Sequence, residues 1–219
     1  MGPDVREVLR YLRIPEKAPE TLREQVEREA EQLAEQRAPR HTYRVFPILR
    51  GAEGIELTGS GVTLAGGLAE KMLRGCDRAV LLACTLGMEF DAKLHALERR
   101  DMSRAVILDA CGSAWVESGC DAAEQEIAAR FPGRFLTDRF SPGYGDLPLS
   151  IQSDILAALD ARRRLGIYIG ESLLMLPSKS VTAIVGVSDT PQPARVRGCG
   201  YCGLRGTCPY RKEGTTCVV

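Results

Sequence analysis

The chain has 219 residues, of which 44% are hydrophobic and 26% are charged, enough for one large domain or a domain with an appendage. Basic and acidic residues number 29 each, so the net charge is zero, which argues against nucleic acid or an anionic membrane as a partner. The apolar runs, such as 79–85, are too short to span a bilayer, and the first residues do not resemble a signal peptide. We therefore expect a cytoplasmic protein.

Residues 1–40 are predicted to form an N-terminal helical segment. Apolar residues at helical spacing after Pro3 predict a short helix that prolines 15 and 19 end. A second, highly charged helix is predicted from Glu20 to Arg37. Its narrow apolar stripe indicates a largely solvated outer layer. The stripe consists of Leu22, Val26, Ala30 and Leu33.

Residues 41–189 are predicted to form the main domain, in which strands and long helices mix without a regular βαβ order. This mixture favours an α+β fold over a doubly wound sheet. Strands are predicted at 43–49, 54–58, 79–85, 167–169 and 178–187, the last alternating between its two faces. Helices are predicted at 64–74, 88–100, 103–130 and 149–164, and residues 171–176 are predicted to form a turn or a helical piece.

The helix predicted at 103–130 is the longest, and Gly112 and Gly119 interrupt it. A glycine inside a helix costs up to about 1 kcal/mol relative to alanine. The small residues around Gly112 would let another element approach closely, and the usual element is a second helix. One side of this helix carries three carboxylates: Asp109, Glu117 and Glu124.

A loop at 139–148 stands out from the rest of the chain. Within six residues it contains the guanidinium of Arg139, a Ser-Pro-Gly turn and the phenol of Tyr144. Pro142 fixes φ near −65° and Gly143 can adopt the positive φ of a type II turn. Such a loop suits a polar small molecule with an aromatic part, although Pro-Gly alone would indicate an ordinary surface turn.

The sequence Arg139-Phe-Ser-Pro-Gly-Tyr-Gly resembles the R-x-x-x-G-Y signature of the activation domain of cobalamin-dependent methionine synthase. Further segments resemble the short, stand-alone form of that domain, in one order between residues 57 and 187. These segments are Leu81–Gly87, Asp109–Glu117, Pro142–Leu149 with Gln152, and Glu171–Ala183. The resemblance implies an α+β fold with a long twisted antiparallel sheet flanked by helices.

The resemblance also implies binding of S-adenosylmethionine at the loop. Arg139 would hold the ligand's carboxylate, the ring of Tyr144 would face the sulfonium, and Glu117 would hold the amino group. Backbone groups of Ser141, Pro142 and Gly143 would meet the adenine edge. No side chain need act as an acid or base, because the reduced cobalt is itself the nucleophile and the protein contributes positioning.

The implied function is that of an activation subunit for the reductive methylation of cob(II)alamin. Because the chain shows no cobalamin-binding region, the partner would be the cobalamin domain of a methionine synthase that lacks its own activation domain. Ferredoxin or flavodoxin would be a suitable electron donor. Two rivals stay open: activation of another corrinoid methyltransferase, and a small iron–sulfur or zinc protein in which the loop is only a docking surface.

The eight cysteines fall into two groups. Four are scattered through apolar segments, where free buried thiols are expected: Cys76, Cys84, Cys111 and Cys120. Residues 190–219 are predicted to be a metal-binding tail, because they contain the other four: Cys199, Cys202, Cys208 and Cys217. A C-x-x-C pair followed by Cys-Pro favours an iron–sulfur cluster, and zinc, a redox disulfide and free thiols are the alternatives.

Overall fold

A computed structural model of the chain describes residues 2–14, 19–170, 173–196, 206–207 and 212. Its helices are α1 Val5–Tyr11, α2 Glu20–Gln36, α3 Gly67–Leu73, α4 Met88–Glu98, α5 Met102–Arg130, α6 Gln152–Ala158 and α7 Ala161–Leu165, with a 3-10 turn at Leu149–Ile151. Its strands are β1 Arg40–Gly51, β2 Gly54–Leu57, β3 Val62–Leu64, β4 Cys76–Thr85, β5 Phe135–Leu136, β6 Tyr168–Ile169, β7 Met175–Leu176 and β8 Ser180–Ser188. No described helix is both long enough and apolar enough to cross a membrane.

Six strands form one antiparallel sheet in the order β3-β2-β1-β4-β8-β5, and β6 pairs with β7 in a separate ribbon. The β1–β2 hairpin pairs Gly51 with Gly54, leaving a two-residue turn. Helices flank the sheet, so the α+β prediction is confirmed. The chain divides into two compact units, the first comprising Met1–Arg44, Leu82–Ile127 and Gln152–Thr182 and the second the remainder.

The core of the first unit is built by helices. Of the predicted stripe, α2 buries Val26, Ala30 and Leu33, whereas Leu22 is only half-buried and the charged Glu29 is buried as well. The small residues of α5 admit a helix, also as predicted, because a Cβ atom on Gly112 would lie 2.3 Å from the Phe90 ring of α4. Trp115 donates its indole N–H to the Arg37 carbonyl oxygen at 2.7 Å, which satisfies the polar atom of a buried ring.

The second unit is built on β2, β3, α3 and the parts of β1, β4 and β8 that belong to it. Arg50 on β1 closes the C-terminal end of α3, because its guanidinium donates to the carbonyl oxygens of Leu73, Arg74 and Cys76. Helix ends leave such carbonyls without intrahelical partners, so this contact stabilises a helix of only seven residues.

Three sequence predictions are wrong in detail. The helix expected at 64–74 begins only at Gly67, because Leu64 pairs with Ile55 across the β2–β3 ladder. The helix expected at 149–164 is divided into a 3-10 turn, α6 and α7, and Asp160, which lies between α6 and α7, has a left-handed φ of 52°. Within the stretch expected to be a turn or a helical piece, residues 175 and 176 form a strand paired with β6.

The strand expected at 178–187 is confirmed, but it buries both faces. Every residue from Thr182 to Ser188 is buried, including the two hydroxyl residues at the ends of that run. Its two neighbours in the sheet, β4 and β5, satisfy its backbone on both sides, so β8 is not an edge strand.

The four scattered cysteines are buried and form no disulfide, as predicted. Burial raises the pKa of Cys76 to about 11 and the pKa of Cys111 to about 12. A thiol with such a pKa is protonated at neutral pH and is a poor nucleophile. These residues therefore act as small apolar side chains.

Candidate functional site

The loop at 139–148 is attached to the second unit through its first residues. Phe140 is fully buried, and its backbone pairs with that of Ile184 on β8 through two hydrogen bonds, of 3.1 Å and 2.8 Å. Arg139 is only 8% exposed. The guanidinium in the predicted ligand loop is therefore on a fixed backbone and is desolvated, which strengthens its interactions with an anion.

Two consecutive turns shape the rest of the loop. The Tyr144 amide donates to the Ser141 carbonyl oxygen at 3.1 Å, and Gly143 has a φ of 87°, as the predicted type II turn requires. The Leu147 amide donates in turn to the Tyr144 carbonyl oxygen at 3.0 Å. The Gly143 amide donates to the Leu147 carbonyl oxygen at 2.9 Å, so this amide is used within the loop.

The ring of Tyr144 is the most accessible large group of the loop. It is 51% exposed, whereas Pro142 and Leu147 are buried beneath the turns. An aromatic ring of this kind offers its face to a cation or to another planar group. The loop thus combines a buried guanidinium with an exposed aromatic ring.

Asp146 ties the loop to helix α3 of the same unit. Its carboxylate accepts the amide protons of Gly67 at 2.6 Å and Leu68 at 2.9 Å. These two bonds lower the pKa of Asp146 below its ordinary value. No local sequence signal marks Asp146 as a helix cap, because the helix that it caps lies 79 residues earlier in the chain.

Glu117 lies on α5 in the first unit, whereas residues 139–144 lie in the second. Glu117 is half-buried. The pKa of Tyr11 is raised, first by the burial of Tyr11 itself and second by the negative charge of Glu117. Its grouping with the loop in one ligand site stays a prediction.

A dense polar network surrounds residues 178–180 of the first unit. Asp91, only 4% exposed, accepts hydrogen bonds from the backbone N–H and the hydroxyl of Ser178, both at 2.7 Å. Lys179 donates to Asp109 at 2.8 Å and to Ser113 at 2.9 Å. These polar side chains therefore have partners within the fold.

The described residues of the first unit line concavities, of which we describe two. One, of about 220 Å³, is lined mainly by α6, α7 and β6, including Leu156, Ile167 and Tyr168. The other, of about 200 Å³, lies near Arg37, Phe90 and Lys93. Neither is lined by a residue predicted to bind a ligand.

The described residues contain no group of three or more His, Cys, Asp or Glu side chains arranged to hold a metal ion. Cys199, Cys202, Cys208 and Cys217 lie outside the described residues. Their metal ligation therefore stays a prediction.

Comparison with known proteins finds no matching family model and no matching curated protein. Among solved structures, the chain is similar to the crystal structure of the MetH reactivation domain bound to AdoHcy. The TM-score is 0.65, with 17% sequence identity over 99% of this chain and 86% of that chain. The fold is therefore similar to that of this reactivation domain, consistent with the expectation drawn from the R-x-x-x-G-Y loop.

Proposed function

We propose that this chain binds S-adenosylmethionine and serves as an activation subunit for the reductive methylation of cob(II)alamin on a separate methionine synthase polypeptide. The observation that carries the proposal is the R-x-x-x-G-Y loop, which is built as the sequence predicts, on a reactivation-domain fold. The similar structure contains AdoHcy, which is the molecule left when S-adenosylmethionine gives up its methyl group.

The loop residues suit two charged groups of S-adenosylmethionine, its carboxylate and its sulfonium. Arg139 is a buried fixed cation and would bind the amino-acid carboxylate through paired hydrogen bonds. Tyr144 presents an exposed ring that can face the sulfonium. Ser141, Pro142 and Gly143 form the turn between them, and Glu117 is the proposed partner of the ligand's amino group.

The chain's own contribution is to hold the methyl donor in position. Cobalamin, held by the partner and reduced by one electron from a donor such as ferredoxin or flavodoxin, supplies the nucleophile that accepts the methyl group. The bond from sulfur to the methyl carbon breaks, and S-adenosylhomocysteine is released from the loop.

Calorimetric titration with S-adenosylmethionine tests the binding step. Wild type should bind, and Arg139→Ala should weaken binding at least about tenfold, because hydrogen bonds to a charged group contribute about 1.5–3 kcal/mol. Arg139→Lys keeps the charge but loses the planar fork, so it should bind with intermediate affinity. Because Arg139 is buried, the thermal unfolding of each variant must be measured alongside.

The absence of S-adenosylmethionine and S-adenosylhomocysteine binding to the wild type would overturn the proposal. Such a result would favour the rival class, a redox or docking protein. If binding is found, methyl transfer from labelled S-adenosylmethionine to a cobalamin domain under reducing conditions tests the second step.

We further propose that the C-terminal cysteines carry an iron–sulfur cluster that relays the electron from this donor to the cobalamin. Supporting this, the Val196 amide donates to Asp138 at 3.1 Å, and Asp138 directly precedes Arg139. Cys199 follows Val196 by three residues in the sequence. Iron analysis and the visible spectrum of anaerobically purified protein test this proposal, and bound zinc would contradict it.

A further inference from the structure

Helix α3 lacks a cap from its own sequence. Its N-cap position is Gly66, which has no side chain to accept the first amide protons. The carboxylate of Asp146 instead accepts the amide protons of Gly67 and Leu68. Asp146 lies 79 residues after Gly67 and 78 residues after Leu68 in the chain. An end of a short helix and the ligand loop are therefore held together by one side chain.

The backbone around this contact is shaped for close approach. Gly66 has a φ of 103°, which favours glycine, and a Cβ atom there would lie 2.9 Å from the Asp146 carboxylate carbon. It would also lie 3.0 Å from the Asp146 carbonyl oxygen, which belongs to the backbone and cannot rotate away. On the other side, a Cβ on Gly145 would lie 3.4 Å from Leu68. The two segments thus touch through backbone as well as through the carboxylate.

Asp146 lies in the same turn as Tyr144, whose aromatic ring is the exposed group of the loop. It is the third residue of the second turn, whose first residue is Tyr144 and whose last is Leu147. The Tyr144 side chain is half exposed, so packing does little to hold it. The backbone from which the ring projects is instead fixed by Phe140 at one end and by Asp146 and Leu147 at the other.

We propose that Asp146 is a positioning residue for ligand binding: by accepting the amides of Gly67 and Leu68, it holds the loop in the form that takes S-adenosylmethionine. Asp146 does not touch the ligand in this proposal. It acts by removing alternative loop conformations, whose loss would otherwise be a cost of binding. The inference rests on the proposed function.

Two substitutions remove the contact in steps. Asp146→Asn keeps one acceptor oxygen, and Asp146→Ala keeps none. Asp4→Ala is a matched control, because Asp4 is also an aspartate that caps a seven-residue helix, accepting the Arg6 amide at 2.8 Å. It caps its own helix, α1, and does not hold the loop.

Calorimetry with S-adenosylmethionine should give an affinity about fivefold weaker for Asp146→Ala, the factor that corresponds to a typical loss of about 1 kcal/mol for a helix cap. Asp146→Asn should lie between this variant and wild type. Asp4→Ala should lower the unfolding temperature but leave the affinity unchanged. A loss of affinity without a matching loss in the control separates positioning from general stability.

If wild type binds S-adenosylmethionine and both Asp146 variants bind it as tightly as wild type does, the inference is overturned while the proposed function stands. If wild type itself does not bind, the proposed function fails and the inference fails with it. Should Asp146→Ala not fold, the ratio of wild-type to Asp146→Asn affinity decides, and equality again overturns the inference.

Discussion

Two segments that the sequence resemblance picks out equally differ in what their polar groups do. We call residues 139–148 the arginine loop and residues 178–180 the serine–lysine segment. In the serine–lysine segment, Ser178 and Lys179 are bonded to carboxylates of α4 and α5. In the arginine loop, backbone bonds fix the shape and the Tyr144 ring stays exposed. Segments that share the sequence resemblance therefore include both structural framework, here the serine–lysine segment, and a candidate binding surface, here the arginine loop. Burial and hydrogen bonding distinguish the two.

The largest effect on stability is expected at Asp91, which accepts two hydrogen bonds from the serine–lysine segment. Asp91→Ala removes two hydrogen bonds to a buried carboxylate, and because Ser178 is exposed and can bond to water instead, we expect a loss of about 1.5–3 kcal/mol in total. Thermal unfolding should therefore occur roughly 5–10 °C lower, since about 2–4 °C corresponds to 1 kcal/mol in a chain of this size.

Asp154→Ala is the control for this comparison, because Asp154 is exposed on α6. Its unfolding temperature should match wild type. Equal midpoints for the two variants would show that the Asp91 contact does not hold the segment.

A smaller loss is expected for Lys179→Met, which keeps the buried stem but removes the ion pair with Asp109 and the bond to Ser113. We expect about 1 kcal/mol in chemical denaturation, because Asp109 is half exposed and the pair is partly screened. The difference from wild type should shrink at high salt.

Lys93→Met gives the matched comparison, because Lys93 donates only to the exposed Gln36 among the described residues. This variant should be as stable as wild type. A loss equal to that of Lys179→Met would assign the effect to the side-chain exchange and not to the ion pair.

In the arginine loop, Tyr144→Ala should change stability by no more than about 0.5 kcal/mol, because the ring is exposed. Its affinity for S-adenosylmethionine should fall about fivefold, the size of a partly exposed cation–π contact. Tyr168→Ala is the control, since that ring is 42% exposed but lies on β6. Retained affinity in Tyr144→Ala would show that the ring does not face the ligand.

The smallest effect is a pH dependence at Asp146. Its pKa is lower in the folded protein than the ordinary 3.8, so its stabilising effect is fully present above that value and is lost as pH falls through the folded pKa. The unfolding midpoint of wild type should exceed that of Asp146→Ala at neutral pH, and the gap should close in acid. A gap that is constant with pH would contradict a role for the ionised carboxylate.

Local sequence signals predicted several features correctly. The Pro142-Gly143 pair gave a turn with positive φ at Gly143, and the small residues of α5 gave a close approach by Phe90. In each case the cause is a property of the residue itself, such as a missing Cβ or a fixed φ. The same reasoning fails where the decisive partner is distant in sequence.

Three features of the fold were not predicted from the sequence. Leu64 belongs to a strand and not to the following helix because Ile55 pairs with it. Asp160 adopts a left-handed conformation that ends α6 before α7 begins, although the sequence there reads as one helix. Strand β8 is buried on both faces from Thr182 to Ser188, although its sequence begins with alternating polar and apolar residues.

The amino-acid sequence by itself determined the α+β class, the long helices and the conformation of the 141–144 turn, because these follow from periodicity and from proline and glycine geometry. Only the tertiary structure decided that Asp146 caps α3 and that Asp91 and Asp109 hold residues 178–179. Those contacts join residues that are 70 to 87 positions apart in the chain. The pairs are Asp91–Ser178, Asp109–Lys179 and Gly67–Asp146. A side chain's partner at such a separation is set by the packing of whole elements, which local propensity does not encode.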